Sequence, residues 1–141
     1  MELDIKAIGI DGKEYIINFT KHCIIEEQKS ALHVKARALL KKIFPSSDVH
    51  EEVILKGCVG AGGKELKADF LIPQLKVLVE THGKQHYEYT SHFHKTTSGF
   101  KKSLKNDEIK QDWAELNGII YISLPYNKIK DWRSIINDRL P

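Results

Sequence analysis

The sequence predicts a single α/β (α+β) domain with a central mixed β-sheet flanked by helices and an N-terminal β-hairpin. A chain of 141 residues is long enough for one well-formed core. Apolar periodicity gives the element order β-β-α-β-β-β-α-β-α, and the strand–helix–strand passage near the end implies a parallel crossover. We expect a hairpin over residues 1–20, a core over 26–126 and a terminal helix over 127–141.

Local signals place each element in turn. Asp11-Gly12 between two strand-like runs is a strong hairpin signal. An apolar stripe through Leu32, Ala36 and Leu40 predicts a first helix over 26–44, and Pro45 stops it. The remaining expected elements are strands at 49–59, 66–72 and 76–82, a polar irregular loop from 82 to 103, a helix over 104–118, a strand at 119–125 and a helix over 128–140.

The charge is modest but unevenly placed. The chain carries 22 Lys and Arg against 19 Asp and Glu, a net charge of +3. No acid occurs between Tyr89 and Asn106, where the basic residues are Lys95, Lys101, Lys102 and Lys105. This segment suits contact with a polyanion such as nucleic acid, although a solvated loop is the simpler alternative.

Composition also excludes some classes. No apolar run approaches the ~20 residues of a membrane span, so we expect no membrane partner. The N-terminus lacks a secretory signal pattern, and Cys23 and Cys58 suggest no disulfide framework. We therefore expect a cytoplasmic protein with reduced thiols.

Two acids interrupt apolar runs, Asp69 in "ADFLIP" and Glu80 in "KVLVE". Strand alternation lets the two side chains converge at one end of a sheet if their strands are neighbours. Two such carboxylates repel each other and are costly to desolvate unless a cation binds them. Oxygen ligands suit Mg²⁺ or Mn²⁺, and such an ion can activate water for attack on a phosphate.

Two alternatives use the same residues. Each acid can pair with a lysine, Lys67 or Lys76 for Asp69 and Lys84 for Glu80. A structural zinc site is a further alternative, and its candidate ligands are His82, His86, His92, His94 and Cys58.

The stretches "ADFLIPQLKVLVETHGKQH" and "FKKSLKNDEIKQDWAELNGIIYISLPY" carry a family pattern. Between Lys64 and Trp132 the chain resembles the PD-(D/E)xK, or restriction-endonuclease-like, nuclease superfamily. Its nearest likeness is to the Vsr-like branch and to related phage and homing endonucleases. The resemblance implies a restriction-endonuclease-like core and divalent-metal-dependent hydrolysis of phosphodiester bonds.

The resemblance also implies roles for individual residues. Asp69 and Glu80 would bind the metal ion, with the carbonyl of Thr81 as a further ligand. Gln85 and His86 match the branch's Gln-His, in which the histidine accepts a proton or positions a phosphate. Asp107 and Lys110 match its Asp-x-x-Lys helix and would lie on the nucleic-acid side; the alternative is a solvent-exposed ion pair.

The sequence departs from the family pattern at two places. His82 occupies the usual lysine position, so His82, or Lys84 reaching back, would activate the water. His33 stands where the branch carries a helix glutamate, for which Glu26 or Glu27 is an alternative source. A helix histidine with strand Asp and Glu resembles the metal site of cap-snatching endonucleases, which favours Mn²⁺; a surface histidine is the simpler alternative.

The leading hypothesis is thus a metal-dependent endonuclease, acting on DNA in preference to RNA, as a monomer or homodimer. If the gene is phage-encoded, the protein would act in the host cell cytoplasm. A second hypothesis is a catalytically impaired nuclease-fold module that binds nucleic acid or a protein. A third is an RNase of the cap-snatching type.

Overall fold

The structure is a computed structural model that describes residues 4–23, 29–84 and 97–141. The predicted fold class and element order are confirmed. The strands are β1 (Asp4–Ile8), β2 (Glu14–Asn18), β3 (His50–Val59), β4 (Glu65–Ile72), β5 (Val77–His82) and β6 (Ile120–Pro125). The helices are α1 (Ala31–Ile43), α2 (Thr97–Leu116) and α3 (Trp132–Arg139), with a 3-10 turn at Ile129–Asp131.

The central sheet is mixed, as the sequence predicts. Its strand order is β3-β4-β5-β6, with antiparallel pairing from β3 to β5 and parallel pairing of β5 with β6. The parallel pair is joined through α2, which is the predicted crossover. β1 and β2 form the separate antiparallel hairpin, in which Gly12 adopts a φ of +82° in the turn.

Helices cover both faces of the sheet, so there are two core layers. The hairpin and α2 cover one layer, whose members include Ala7, Ile17, Leu55, Leu78 and Trp113. α1 and α3 cover the other, whose members include Leu40, Phe70, Val79, Ile122 and Trp132. Each large apolar side chain buried in this way contributes about 1.5–3 kcal/mol.

Three helix starts differ from the prediction. α3 begins at Trp132 rather than at 128, after the 3-10 turn at Ile129–Asp131. α1 begins at Ala31 rather than at 26, because Ser30 is its N-cap and accepts a hydrogen bond from the His33 N–H at 3.1 Å. α2 begins at Thr97, seven residues before the expected start. Gly99 and Ser103 are weak helix formers and obscure its first turns. Lys101 and Lys102, which were expected in the loop, therefore lie on the same helix as Lys105.

None of the helices within the described ranges is both long enough and apolar enough to cross a membrane. The hairpin is attached to the core through Asn117, just after α2. The Ile8 N–H donates to Asn117 Oδ1 at 2.6 Å, and Asn117 Nδ2 donates to the Ile8 carbonyl at 2.9 Å. Gly57 of β3 allows a close approach, since a Cβ there would lie 2.5 Å from the Cα of Gly9.

Replacing Asn117 with Ala should lower the free energy of unfolding by about 1–3 kcal/mol, because both main-chain groups of Ile8 lose their partner. Urea denaturation measures the change. Asn127→Ala, at an exposed position, is the matched control and should stay within about 0.5 kcal/mol of wild type. Equal stability of the two variants would show that Asn117 does not anchor the hairpin.

Candidate metal centre

The site begins where β4 and β5 separate. Their main-chain pairing ends at Phe70 and Val79. Beyond that pair, the Asp69 N–H donates to Glu80 Oε2 at 2.9 Å, and the Thr81 N–H donates to Asp69 Oδ2 at 2.8 Å. Each carboxylate thus accepts a hydrogen bond from a main-chain N–H group of the neighbouring strand. Asp69 and Glu80 converge at this point, as strand alternation predicts.

Glu80 is buried and paired with Lys110. Its side chain sits under α2, where Lys110 Nζ donates a hydrogen bond to Glu80 Oε1. Burial raises the pKa of Glu80 to about 8, and the charge of Asp69 acts in the same direction, while Lys110 opposes it. Burial alone would lower the pKa of Lys110, but Glu80, Asp69 and Asp107 outweigh it and raise that pKa. Lys110 is therefore a cation at neutral pH.

Beside this pair, three other side chains form a potential metal site. One ligand atom each from His33 of α1, Glu52 of β3 and Asp69 of β4 lie within 4.8 Å of one another. His33 and Glu52 are buried, and Asp69 is half-buried. Within residues 4–23, 29–84 and 97–141 this is the one group of its kind. An imidazole nitrogen with two carboxylates suits Mn²⁺ or Mg²⁺.

Glu52 has an unusual backbone conformation. β3 pairs with β4 on both sides of it, at Glu51–Phe70 and Val53–Ala68, yet Glu52 itself has a φ of +52°. A residue other than glycine in this region costs on the order of 1–3 kcal/mol and is characteristic of functional sites. The strain therefore marks the same position as the ligand group.

The charge of Glu52 is balanced from several directions. Lys67 Nζ lies 3.0 Å from Glu52 Oε2, and Lys29 Nζ lies 3.4 Å from Oε1. His33 Nδ1 lies 3.7 Å from the same Oε1. The two lysine ammonium groups offset the acids of the site, so the carboxylates can be held close together in the folded protein.

The structure brings together part of the predicted ligand set. Asp69 and His33 are in the group of three, so the surface alternative for His33 is wrong. Glu80 lies outside that group and contacts it through the Asp69 N–H. Thr81 donates to Asp69 Oδ2 from both its N–H and its hydroxyl, the latter at 3.0 Å. Its carbonyl as a ligand stays a prediction.

The structure also shows the surroundings of His82 and Lys84, which were predicted to activate water, and of Asp107, which was predicted to face nucleic acid. His82 is buried with Nε2 3.1 Å from the Tyr121 hydroxyl, and Lys84 is exposed. Lys67 pairs with Glu52 and Lys110 pairs with Glu80, and the lysine alternatives included neither of these pairs. Asp107 is buried beside Lys110, so the exposed ion pair is wrong.

The expected nucleic-acid contacts fall partly in the described residues. Lys101, Lys102 and Lys105 are exposed on α2. Several other predicted residues lie outside the described residues: Gln85, His86, Lys95, the alternative acids Glu26 and Glu27, and His92 and His94 of the zinc alternative. The zinc candidates within the described residues are His82 and Cys58. Cys58 is fully buried, and burial raises the pKa of its thiol to about 12.

Sequence reasoning missed Glu52 as a candidate ligand and gave Lys110 a different role. The signal for Glu52 was present in "VHEEVILKG", where two acids start an otherwise apolar strand. The signal for Lys110 was its place three residues before Trp113 in the apolar stripe of α2, which directs it toward the sheet.

Comparison with known proteins adds viral relatives. The chain is 34% identical over 79 residues to "Uncharacterized protein 307L" of Invertebrate iridescent virus 6, covering 56% of this chain and 40% of that protein. It is 32% identical over 79 residues to "Uncharacterized protein 033L" of Invertebrate iridescent virus 3, covering 55% and 41%. It is 36% identical over 83 residues to "Uncharacterized protein 094L" of Frog virus 3 (isolate Goorha), covering 57% and 53%.

The chain thus spans about half, or less, of the length of these curated relatives. No protein-family model matches it, and no solved structure matches it.

The raised pKa of Glu80 predicts that the metal-free protein loses stability as the pH rises from about 4.5 to 8. In this window the folded protein holds a proton on Glu80 that the unfolded chain releases. Glu80→Gln should flatten this part of a plot of unfolding free energy against pH.

The matched control is Glu65→Gln, because the pKa of Glu65 is lowered: burial opposes this shift, but Lys56 and the Gly57 N–H outweigh burial. Its replacement should change only the acid side of the plot, where Glu65 becomes protonated. An unchanged slope between pH 4.5 and 8 in Glu80→Gln would contradict the assignment.

Proposed function

We propose that the protein is a divalent-metal-dependent endonuclease that hydrolyses phosphodiester bonds, with DNA as the favoured substrate. The observation that carries the proposal is the convergence of His33, Glu52 and Asp69 within 4.8 Å, one hydrogen bond away from the buried Glu80–Lys110 pair. The nuclease resemblance rests on Asp69, Glu80 and the helix that carries Lys110.

The donor set fits Mg²⁺ or Mn²⁺. His33, Glu52 and Asp69 would hold the ion, and two carboxylates largely neutralise its charge. When bound there, such an ion supplies a Lewis acid and a hydroxide nucleophile at neutral pH. Thr81 and Glu80 keep Asp69 in place through hydrogen bonds to its carboxylate and its N–H.

We assign to Lys110 the part that the superfamily lysine plays. Lys110 stays protonated because its pKa is raised, so it acts as a hydrogen-bond donor and a positive charge, not as a base. Its ammonium group is held against Glu80 and can stabilise negative charge that develops on the attacking water or on the phosphate. His82, Lys84 and His86 stay as alternative candidates for handling the proton.

The exposed lysines of α2 provide the contact with the nucleic-acid backbone. Lys101 and Lys105 are four residues apart and so share a helix face, and Lys102 is adjacent. The same helix carries Lys110 to the site, so it connects a surface suited to phosphates with the proposed active centre.

The RNase hypothesis is the second candidate, because His33 lies in the ligand group. A helix histidine beside strand acids is the feature on which the cap-snatching resemblance rests. The impaired-module hypothesis depended on a missing lysine and a missing carboxylate. Lys110 and Glu52 supply both chemical groups, which favours an active enzyme. Phage encoding, host-cytoplasmic location and the monomer or homodimer state stay predictions.

Asp69→Asn should lower cleavage by about 100-fold or more while binding is retained, because a neutral amide is a poor ligand for a hard cation. A plasmid and a single-stranded RNA are the substrates, each with Mg²⁺, Mn²⁺ or EDTA, and Glu65→Gln is the control outside the site. If Asp69→Asn cuts as fast as wild type, this centre is not the active site. If only RNA is cut, the second candidate replaces the first.

Lys110→Met should reduce cleavage by about 100-fold and also destabilise the fold, because the buried Glu80 Oε1 loses its hydrogen-bond donor. The double variant Lys110→Met/Glu80→Gln replaces the carboxyl group with an amide that cannot ionise, and it should be more stable than the single variant at alkaline pH but equally slow in cleavage. Lys41→Met, exposed on α1, is the surface control. Wild-type cleavage by the double variant would exclude a catalytic role for Lys110.

A further inference from the structure

We propose that Glu51, held in place by Arg37, is a positioning residue that fixes the ring of His33 so that its Nδ1 atom faces the metal ligands. This inference rests on the proposed function and deepens it. Glu51 and Arg37 lie outside the group of three, and together they would hold the imidazole of His33 in one tautomer and one orientation.

The contacts of the two ring nitrogens differ. His33 Nε2 lies 2.6 Å from Glu51 Oε1, whereas Nδ1 lies 3.7 Å from Glu52 Oε1. The Arg37 guanidinium, which is always charged, forms a bidentate ion pair with the carboxylate of Glu51. An ionised carboxylate can only accept, so Nε2 carries a proton. Nδ1 is then the nitrogen with a lone pair available to a cation.

Arg37 restricts the carboxylate of Glu51. Arg37 Nε lies 3.0 and 2.9 Å from the two Glu51 oxygens, and Nη2 lies 2.8 Å from Oε1. This bidentate geometry restricts the rotation of the carboxylate. Arg37 follows His33 by one helical turn on α1, so the same helix supplies both the ligand and the clamp on its partner.

The ring plane of His33 is held from a second side. The imidazole stacks on Phe70 of β4, with ring centroids 4.4 Å apart and an interplanar angle of 27°. Phe70 is fully buried and belongs to the core between the sheet and α1. Rotation of the imidazole would therefore break both this stack and the Glu51 hydrogen bond.

The strained backbone of Glu52 explains how two consecutive glutamates reach one histidine. In a regular strand, neighbouring side chains point to opposite faces. The positive φ of Glu52 breaks that alternation, so Glu51 contacts Nε2 while Glu52 lies near Nδ1. One acid is thus placed to bind the metal and the next to orient its histidine ligand, an arrangement that raises ligand basicity.

Metal titration with Mn²⁺ tests the proposal. Both Glu51→Ala and Arg37→Met leave the three proposed ligands unchanged. We expect Glu51→Ala to weaken Mn²⁺ affinity by about 10–100-fold, because His33 loses its hydrogen-bond partner. We expect Arg37→Met to weaken it less, because Arg37 contacts Glu51 and acts on His33 only through it. The control is Glu65→Ala, which loses a comparable ion pair to Lys56 at 2.8 Å with similar side-chain exposure, 29% against 27% for Glu51. Its affinity should equal that of wild type.

A second measurement separates positioning from general stability. The ¹⁵N chemical shifts of His33 in the metal-free protein report which ring nitrogen is protonated. Wild type should show a proton on Nε2, and Glu51→Ala a mixture of tautomers. If Glu51→Ala does not fold, Glu51→Gln keeps the shape of the side chain and should still weaken Mn²⁺ binding.

The outcomes are distinct. If Glu51→Ala binds Mn²⁺ as tightly as wild type, the positioning role is overturned while the metal site stands. An unchanged tautomer in that variant would overturn it as well. If wild type binds neither Mn²⁺ nor Mg²⁺, the proposed function fails together with this inference.

Discussion

The separation of β4 from β5 at Phe70 and Val79 is the constraint on which the candidate site depends. In a regular sheet, main-chain carbonyls of the neighbouring strands would satisfy the N–H groups of Asp69 and Thr81. The carboxylates of Glu80 and Asp69 accept from these groups instead. The gap in the sheet thus keeps its hydrogen bonds complete and gathers negative charge at one place.

That concentration of charge explains the arrangement of cations around it. Glu80 is deeply buried and its carboxyl group needs a hydrogen-bond partner, so α2 brings Lys110 across the sheet to it. Glu52 likewise forms ion pairs with Lys67 and Lys29. The flexible lysine side chains can rearrange around a bound cation or a phosphate, whereas the acids are fixed by the strands.

The fold and two of the acids, Asp69 and Glu80, were predictable because they follow from the regular periodicity of apolar and polar residues along helices and strands. Alternation along β4 and β5 places Asp69 and Glu80, and the crossover follows from the strand–helix–strand order. Glu52 could not be found in this way, since a left-handed residue breaks the alternation on which such reasoning depends. The Glu80–Lys110 pair joins residues 30 positions apart, and no local pattern encodes that contact.

The candidate site combines side chains that the fold holds rigidly with lysine side chains that can change conformation. His33 is fixed by its N-cap bond to Ser30, by its stack on Phe70 and by the carboxylate of Glu51. The conformational entropy of this candidate ligand is therefore lost during folding and would not be lost again if a metal ion binds. The strain at Glu52 fits the same arrangement, because the folded core holds a candidate ligand in a conformation that the isolated strand would not adopt.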